Sequence, residues 1–242
     1  MIPKVIHYVW LGNKEIAPKD KAFIEICKRK LPDYKVQIWN EKTLPLDRIC
    51  NQNKYINQCY KRKLYAFISD YFRLWILFNY GGIYLDTDVE VLKNLDPFLK
   101  DQGFMGYEAG DENIGEYIGS GIIGAERGNK TIQKLLSFYD EKVWNEDEYI
   151  NTIIFKKLYL QDPKIFNEVK IYPREVFAPY SPYDKKMIKS NKTFTIHKYN
   201  TNWGLSLSGY IFLTTKTIKN PLKRNLTKLK RIIGYIKRKN NV

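Results

Sequence analysis

Two aspartates separated by one residue follow a short apolar run, Ile83-Tyr84-Leu85. In an extended chain Asp86 and Asp88 lie on one face, because successive side chains of a strand alternate between its two faces. Two carboxylates on one face repel each other unless a cation lies beside them. Oxygen ligands suit Mg²⁺ or Mn²⁺, and such an ion would be shared with a diphosphate. The pair therefore predicts a divalent-metal site, although an isolated D-x-D is common by chance.

A second charged pair interrupts the apolar run 64–80, which predicts a buried helix. At ~100° per residue, Asp70 and Arg73 share a narrow arc of that helix with Ser69, and they are i,i+3 neighbours. A buried carboxylate and guanidinium must be paired or must bind a ligand. Two interpretations remain open: a structural ion pair, or a polar site at the sheet edge. The carboxylates just beyond the helix favour the second.

An indole and two histidines are the other candidates. Trp10 lies at the end of an apolar run and offers a flat face, on which stacking of a base is worth ~1–3 kcal/mol; the alternative is plain core packing. His7 lies inside the same run and is interpreted as a hydrogen-bonded core histidine. His197 lies where a predicted strand enters a polar loop, so it is either a metal ligand or a packed histidine.

These residues need a sheet to position them. Strand, helix and strand in succession near the amino terminus predict a βαβ unit and a parallel sheet. Gly81-Gly82 predicts the end of the long helix. The pattern predicts helices at 18–30, 64–80, 131–144 and 148–160, short helices within 41–63, and strands at 5–11, 34–39, 83–86, 89–92, 103–107, 122–125, 169–172 and 193–197.

The segments Ser-Asp-Tyr-Phe-Arg-Leu at 69–74 and Tyr-Gly-Gly-Ile-Tyr-Leu-Asp-Thr-Asp-Val at 80–89 resemble the signature of DXD-containing glycosyltransferases. More narrowly, they resemble glycosyltransferase family 32 and its capsular-polysaccharide members. Yeast initiating mannosyltransferases and the glucosyltransferase domains of large clostridial toxins are more distant relatives. The segments 2–12 and 119–125 and the late His197 and Trp203 also match. The resemblance extends over roughly residues 1–205.

The resemblance implies an α/β GT-A fold, a Rossmann-like mixed, mostly parallel sheet flanked by helices, with a nucleotide-sugar site at its carboxyl strand ends. It also implies a catalytic group made of Asp70, Arg73, Asp86 and Asp88. By family analogy, Trp10 would stack on the base, and Asp70 and Arg73 would bind the donor sugar. Tyr84 and Asp86 would contact the ribose or the sugar, and Trp203 would lie near the diphosphate. Asp88 would ligate the metal together with His197 and possibly Asp86.

The expected function is that of a metal-dependent glycosyltransferase using Mn²⁺ or Mg²⁺. The resemblance implies that the anomeric configuration is retained, and it favours a UDP-sugar as donor. The acceptor would be a saccharide or a lipid-linked saccharide in capsular or lipopolysaccharide synthesis. Two alternatives stay open: a basic nucleic-acid-binding protein, and a metal-dependent phosphohydrolase that uses the same carboxylates.

The charge of the chain is concentrated at one end. The 242 residues include 41 Lys and Arg and 26 Asp and Glu, a net charge of +15. No acidic residue follows Asp184, whereas 15 basic residues do, so residues 1–184 are neutral overall. Aromatic residues do not interleave with the basic cluster, which argues against a nucleic-acid-binding domain and predicts no nucleic-acid partner. We predict a catalytic domain at 1–215 and a separate basic tail at 216–242.

The tail has the pattern of an amphipathic helix. Asn220-Pro221 is a helix start, and leucines and isoleucines then recur at spacings of 4, 3, 4 and 3 among basic residues. Such a helix lies in the interface of an anionic bilayer; packing of the apolar stripe on the catalytic domain is the alternative. The sequence shows no leader pattern and no membrane span, and its three cysteines have no metal-finger spacing. We therefore expect a cytoplasmic protein, peripheral on the inner face of the cell membrane. The stripe consists of Leu222, Leu226, Leu229, Ile233 and Ile236.

Overall fold

The computed structural model describes residues 1–110, 115–200 and 206–240, with side chains up to residue 234. A mixed sheet runs through the chain in the order β2-β1-β3-β7-β5-β6, with β8 on β5, and β4 pairs with β9 in a second, small sheet. The strands are β1 Val5–Val9, β2 Lys35–Trp39, β3 Gly82–Leu85, β4 Val89–Val91, β5 Gly103–Glu108, β6 Tyr117–Ile118, β7 Ile122–Ala125, β8 Lys170–Tyr172 and β9 Thr195–His197.

The parallel core of the sheet explains why the candidate residues meet. β1 lies between β2 and β3 and is parallel to both, with Ile6 opposite Val36 on one side and Ile83 on the other. β7 then runs antiparallel to β3. The carboxyl ends of β1 and β3 therefore reach the same edge, which places Trp10 beside Asp86. The predicted α/β fold with a parallel core is confirmed.

Helices cover the sheet and bury its apolar strands. The long helix α4 packs against β1, β3 and β7, and most of its side chains are buried, as its nearly continuous apolar sequence requires. The helices are α1 Pro18–Lys30, α2 Leu46–Gln52, α3 Lys54–Lys61, α4 Tyr65–Tyr80, α5 Lys130–Glu141, α6 Asn151–Gln161, α7 Arg174–Phe177, α8 Leu207–Thr215 and α9 Pro221–Asn240.

Two glycines join α4 to β3. Gly81 ends the helix with φ +65°, and Gly82 follows with φ +106°, a region that favours glycine. A Cβ on Gly82 would lie 2.7 Å from the carbonyl oxygen of Val5 and 2.8 Å from Nε2 of His7. That ring is buried, accepts a hydrogen bond from Trp39 at Nδ1, and donates from Nε2 to the Gly81 carbonyl. The interpretation of His7 as a hydrogen-bonded core histidine is confirmed.

The carboxyl-terminal helices attach to one side of this body. A Cβ on Gly209 of α8 would lie 2.4 Å from the Leu64 side chain, so α8 lies directly on the start of α4. Lys216 then donates hydrogen bonds to carbonyls of the segment after α5, including Val143 at 2.7 Å. α9 begins at Pro221, where the Asn220 side chain accepts from the Lys223 amide at 3.0 Å, as its sequence predicts. The domain division at residue 215 stays a prediction.

Candidate active site

The candidate residues line one pocket of about 480 Å³ at the carboxyl edge of β1 and β3. This volume is typical of a site for a small molecule or cofactor. The wall contains seven of the eight residues expected from the sequence; Trp203 lies outside the described residues. Those seven are Trp10, Asp70, Arg73, Tyr84, Asp86, Asp88 and His197.

Arg73 is the central cation of the pocket and is 2% exposed. Its guanidinium lies 2.8 Å from Asp70 and 3.3 Å from Asp86, and it donates to the carbonyl of Ser120 at 2.5 Å. Burial lowers the pKa of Arg73, but the charge of Asp86 outweighs this and the net pKa is raised. The arginine is therefore a fixed positive charge. Both sequence interpretations of Asp70 and Arg73 hold at once, because the two residues form an ion pair that also lines the pocket.

Asp70 is held by a second partner that the sequence did not indicate. Asn151, at the first turn of α6, donates to the Asp70 carboxylate at 3.2 Å and accepts from the hydroxyl of Tyr139 at 2.9 Å. Burial raises the pKa of Asp70 to about 6, against the opposing charge of Arg73. An asparagine at a helix start is usually read as a cap, so its role here depends on packing between distant segments.

Asp86, Asp88 and His197 form the candidate metal centre. One ligand atom from each lies within 4.8 Å of the others, the one such group of three found among the described residues. Nε2 of the imidazole is 3.3 Å from Asp88 and 3.9 Å from Asp86. β3 supplies the aspartates at its end, and pairing of β4 with β9 brings His197 opposite Val89. The two carboxylates are ligands that suit Mn²⁺ or Mg²⁺, and the imidazole offers a third ligand atom beside them.

The electrostatics of this centre couple the imidazole to the carboxylates. Burial lowers the pKa of His197, but the hydrogen bond with Asp88 and the charges of Asp86 and Glu108 outweigh it, and the net pKa is raised. Burial raises the pKa of Asp88, yet the same hydrogen bond and the Asn200 amide at 2.8 Å leave it lowered. The negative charge of the aspartates thus attracts a positive charge at this point.

Gly121 permits the close approach of these groups. A Cβ on this residue would lie 2.9 Å from the His197 ring and 3.2 Å from the Asp86 carboxylate. Its carbonyl also accepts from the Asp86 amide at 2.8 Å. Gly121, within the segment 119–125, therefore leaves the space that His197 and Asp86 need to approach each other.

Glu108 and Tyr199 surround the imidazole and were not expected from the sequence. Tyr199 stacks on His197, with ring centroids 4.0 Å apart, and its hydroxyl lies 3.5 Å from Glu108. Glu108, the last residue of β5, is 3.9 Å from Nδ1 of His197. Burial raises the pKa of Glu108. A carboxylate at the end of a strand could have been suspected, but only the sheet order shows which strand ends meet.

Trp10 and Tyr84 occupy different environments. Trp10 is half-buried, lines the pocket, and donates from its indole nitrogen to the Lys14 carbonyl at 2.7 Å. Tyr84 is buried beneath the Arg73 guanidinium, and its hydroxyl donates to Asp86 at 2.7 Å. Trp10 is thus available to a ligand, whereas Tyr84 supports the side chains that face one. Asp20, from the first turn of α1, also lines the pocket; burial and the charge of Asp88 raise its pKa.

Comparison with known protein families finds a match over the segment that contains several of these site residues. Residues 18–105, which contain Asp70, Arg73 and the Asp86-Thr87-Asp88 segment, match the family described as "Glycosyltransferase sugar-binding region containing DXD motif". This segment of the chain is therefore similar to the sugar-binding region of DXD glycosyltransferases. The predicted enzyme class, a glycosyltransferase, is thereby confirmed for this region, whereas the narrower resemblance to family 32 stays a prediction.

Two curated proteins are similar to part of this chain. An uncharacterized glycosyltransferase of Acanthamoeba polyphaga mimivirus is 35% identical over 106 residues, which cover 41% of this chain and 40% of the viral protein. Inositol phosphoceramide mannosyltransferase 3 of Schizosaccharomyces pombe is 34% identical over 98 residues, which cover 40% of this chain and 27% of the yeast protein. The matched region spans less than half the length of either relative.

A solved structure shares the fold of much of this chain. The PaToxG glycosyltransferase superposes with a TM-score of 0.52 at 22% identity, covering 69% of this chain and 73% of that chain. At this identity the likeness concerns the fold alone. The predicted GT-A architecture is confirmed.

Proposed function

We propose that the protein is a metal-dependent, retaining glycosyltransferase that moves a sugar from a nucleotide-sugar to a saccharide or lipid-linked saccharide. One observation carries the proposal: Asp86, Asp88 and His197 converge on one pocket with the buried cation Arg73. A half-buried indole, Trp10, lines the same pocket. A nucleotide-sugar carries a flat base, a diphosphate and a sugar, and this wall offers a group suited to each.

Different side chains of the pocket bind different parts of the donor. The indole face of Trp10 stacks on the base, since aromatic faces bind bases without requiring hydrogen bonds. Arg73 is fixed by two carboxylates and a carbonyl, so it is a preorganised positive charge that needs no reorganisation as charge grows on the departing diphosphate. Asp70 and Asp86 orient that guanidinium and accept hydrogen bonds from donor hydroxyls.

Asp86, Asp88 and His197 would hold Mn²⁺ or Mg²⁺. Such an ion supplies Lewis acidity and charge neutralisation at the diphosphate when it is bound. The protein's own contribution is to hold two carboxylates close together at the end of β3 and to bring the imidazole to them through the β4–β9 pair. Tyr84 fixes Asp86 from below by its hydroxyl.

Retention of configuration is proposed from the family resemblance. Retaining hydrolases use one carboxylate as nucleophile. In this pocket Asp70 and Asp86 are engaged by Arg73, and Asp88 is engaged by His197 and the Asn200 amide. We therefore favour a front-face reaction, in which the acceptor hydroxyl enters on the side from which the diphosphate leaves and no protein nucleophile is needed.

UDP as the nucleotide and a capsular polysaccharide or lipopolysaccharide as the product are further parts of the proposal, and both come from the resemblance. The yeast relative bears the name of a mannosyltransferase for inositol phosphoceramide. A lipid-linked acceptor for this chain is in keeping with that name.

The tail supports a membrane-surface location for the enzyme. The apolar stripe of α9 faces solvent instead of the catalytic body: Leu222 is 80% exposed, Leu226 56%, Leu229 55% and Ile233 46%. Basic side chains flank the stripe, and no acidic residue follows Asp184. An exposed apolar stripe within a basic helix fits the interface of an anionic bilayer. No helix among the described residues is both long and apolar enough to cross a membrane. We propose a peripheral location on the inner face of the cell membrane.

A donor screen tests the proposed function. The purified chain is incubated with Mn²⁺ and a panel of UDP- and GDP-sugars, and release of the nucleoside diphosphate is measured with and without saccharide acceptors. The proposal expects release from one class of nucleotide-sugar. Turnover of simple phosphoesters without any release from nucleotide-sugars would indicate a phosphohydrolase instead. Salt-dependent DNA binding without turnover would indicate a nucleic-acid-binding protein.

A further inference from the structure

One carboxylate in the pocket has no hydrogen-bond or ion-pair partner among the described residues. Asp20 is 3% exposed and lines the pocket from the first turn of α1. Within residues 1–110, 115–200 and 206–234, no hydrogen bond or ion pair joins its carboxylate to another group, and only burial and the charge of Asp88 shift its pKa. The carboxylates of Asp70, Asp86, Asp88 and Glu108 in the same pocket all have such contacts.

A structural explanation for Asp20 is weak. A buried carboxylate without a partner is costly, so such groups are normally hydrogen-bonded. The positive end of the α1 dipole stabilises an acid in the first turn by only ~0.3–1 kcal/mol, and burial together with the charge of Asp88 still raises the pKa of Asp20. The carboxylate of Asp88 adds repulsion. The Asp20 carboxylate borders the pocket, so it is available to a ligand that donates hydrogen bonds or carries positive charge.

A cation is the less suitable ligand. The ligand atoms that cluster within 4.8 Å come from Asp86, Asp88 and His197, and Asp20 is not among them. An ionised carboxylate only accepts hydrogen bonds, so a complementary neutral group is a donor such as an N–H or a hydroxyl, and a vicinal diol can donate twice.

The pocket wall indicates which hydroxyls these are. Asp20 shares that wall with Trp10 and with Asp88. If Trp10 stacks on the base and Asp88 lies at the diphosphate, as the proposed function has it, the group between them along the nucleotide is the ribose. We propose that Asp20 binds the ribose hydroxyls of the donor nucleotide. This role rests on the proposed function and adds to it a residue that selects ribonucleotides.

The test compares ribonucleotide and deoxyribonucleotide binding. UDP and 2′-deoxy-UDP, or GDP and 2′-deoxy-GDP if the wild type prefers guanine, are titrated calorimetrically with Mn²⁺ into wild type and Asp20→Asn. The exposed Glu25→Gln on the same helix is the matched control. Wild type and Glu25→Gln should prefer the ribonucleotide by about 10-fold or more, the value of a hydrogen bond to a charged group. Asp20→Asn should bind the ribonucleotide about 10-fold more weakly and lose most of that preference.

Three other outcomes would contradict the role of Asp20, and one of them would also contradict the proposed function. Unchanged preference for the ribonucleotide in Asp20→Asn overturns it. A loss confined to the complete nucleotide-sugar, with the free diphosphate unaffected, would assign Asp20 to the transferred sugar and also overturns it. Failure of the wild type to bind either nucleotide contradicts the proposed function itself, and the role of Asp20 with it.

A stability measurement separates ligand binding from structural support. Without nucleotide, Asp20→Asn should be at least as stable to urea as the wild type, because the substitution removes a buried charge that has no partner among the described residues. A clear loss of stability would show that Asp20 supports the fold and would overturn the proposal.

Discussion

The guanidinium of Arg73 and the carboxylate of Asp86 lie 3.3 Å apart, although Arg73 belongs to α4 and Asp86 follows β3. The two residues are joined through the Gly81-Gly82 turn, which reverses the chain so that α4 packs on the strand it precedes. This contact ties the charged arc of the helix to the aspartate pair. It makes one site out of two motifs that are separate in the sequence.

Removal of the guanidinium should weaken both the fold and the activity. Arg73→Ala leaves Asp70 buried without its cation, and breaking a buried ion pair in this way costs about 3–5 kcal/mol. Urea unfolding should therefore show a lower free energy of unfolding, and turnover measured below the unfolding range should fall sharply. The exposed Arg29→Ala on α1 is the control and should change neither quantity.

Arg73→Lys separates the charge from its geometry. Lysine keeps one positive charge but lacks the planar fork that reaches two carboxylates and a carbonyl at once. We expect partial recovery of stability and little recovery of turnover. Full turnover in this variant would contradict a specific role for the guanidinium.

Trp10 should act on nucleotide binding and not on folding. Trp10→Ala is expected to weaken binding of the nucleoside diphosphate by roughly 1–3 kcal/mol, the value of a base stacked on an aromatic face. Trp10→Phe keeps a flat ring and should lose less. Calorimetric titration measures both. If Trp10→Ala lowers stability without a specific binding defect, the indole is part of the core.

The tail should bind anionic vesicles through its apolar stripe and its charges together. The full chain should co-sediment with anionic liposomes, and it should bind less to neutral ones or at high salt, since each basic residue near the surface contributes ~1 kcal/mol that salt screens. A chain ending at residue 218 should lose this binding and keep turnover on a soluble acceptor.

A second tail variant tests the stripe by itself. Substitution of its four described apolar residues by serine keeps every charge and should weaken binding to anionic vesicles. Equal binding by the full and shortened chains would exclude the tail as the anchor. The four residues are Leu222, Leu226, Leu229 and Ile233.

The sequence predicts the scaffold of the site well, because long apolar runs and a double glycine are strong local signals. The predicted helix at 64–80 begins one residue before α4, and the predicted strand at 83–86 is shifted by one residue from β3 at both ends. The placement of Asp86 and Asp88 follows from the end of that strand. α8, a short helix without charged residues directly before the tail, was not predicted.

The residues that the sequence did not reveal act through long-range packing. Asp20 reads locally as an acid in a helix first turn, and Asn151 reads as an ordinary helix start. Glu108 reads as the last residue of a strand. Nothing within their own segments shows that all three face one pocket. The order of strands and the pairing of β4 with β9 bring such positions together, and neither can be read from local periodicity.

Metal-dependent nucleotide binding tests the central claim most directly, because it does not require the transferred sugar or the acceptor to be known. Calorimetric titration of UDP and of GDP is performed with Mn²⁺ and with EDTA on wild type, Asp88→Asn and the exposed control Asp47→Asn. In wild type and Asp47→Asn, we predict that Mn²⁺ tightens binding of one nucleotide by roughly 100-fold, since a bound ion stabilises diphosphate charge by several kcal/mol. Asp88→Asn should show no such increase. Equal affinity in Mn²⁺ and EDTA for the wild type, or a full Mn²⁺ effect in Asp88→Asn, would contradict the account.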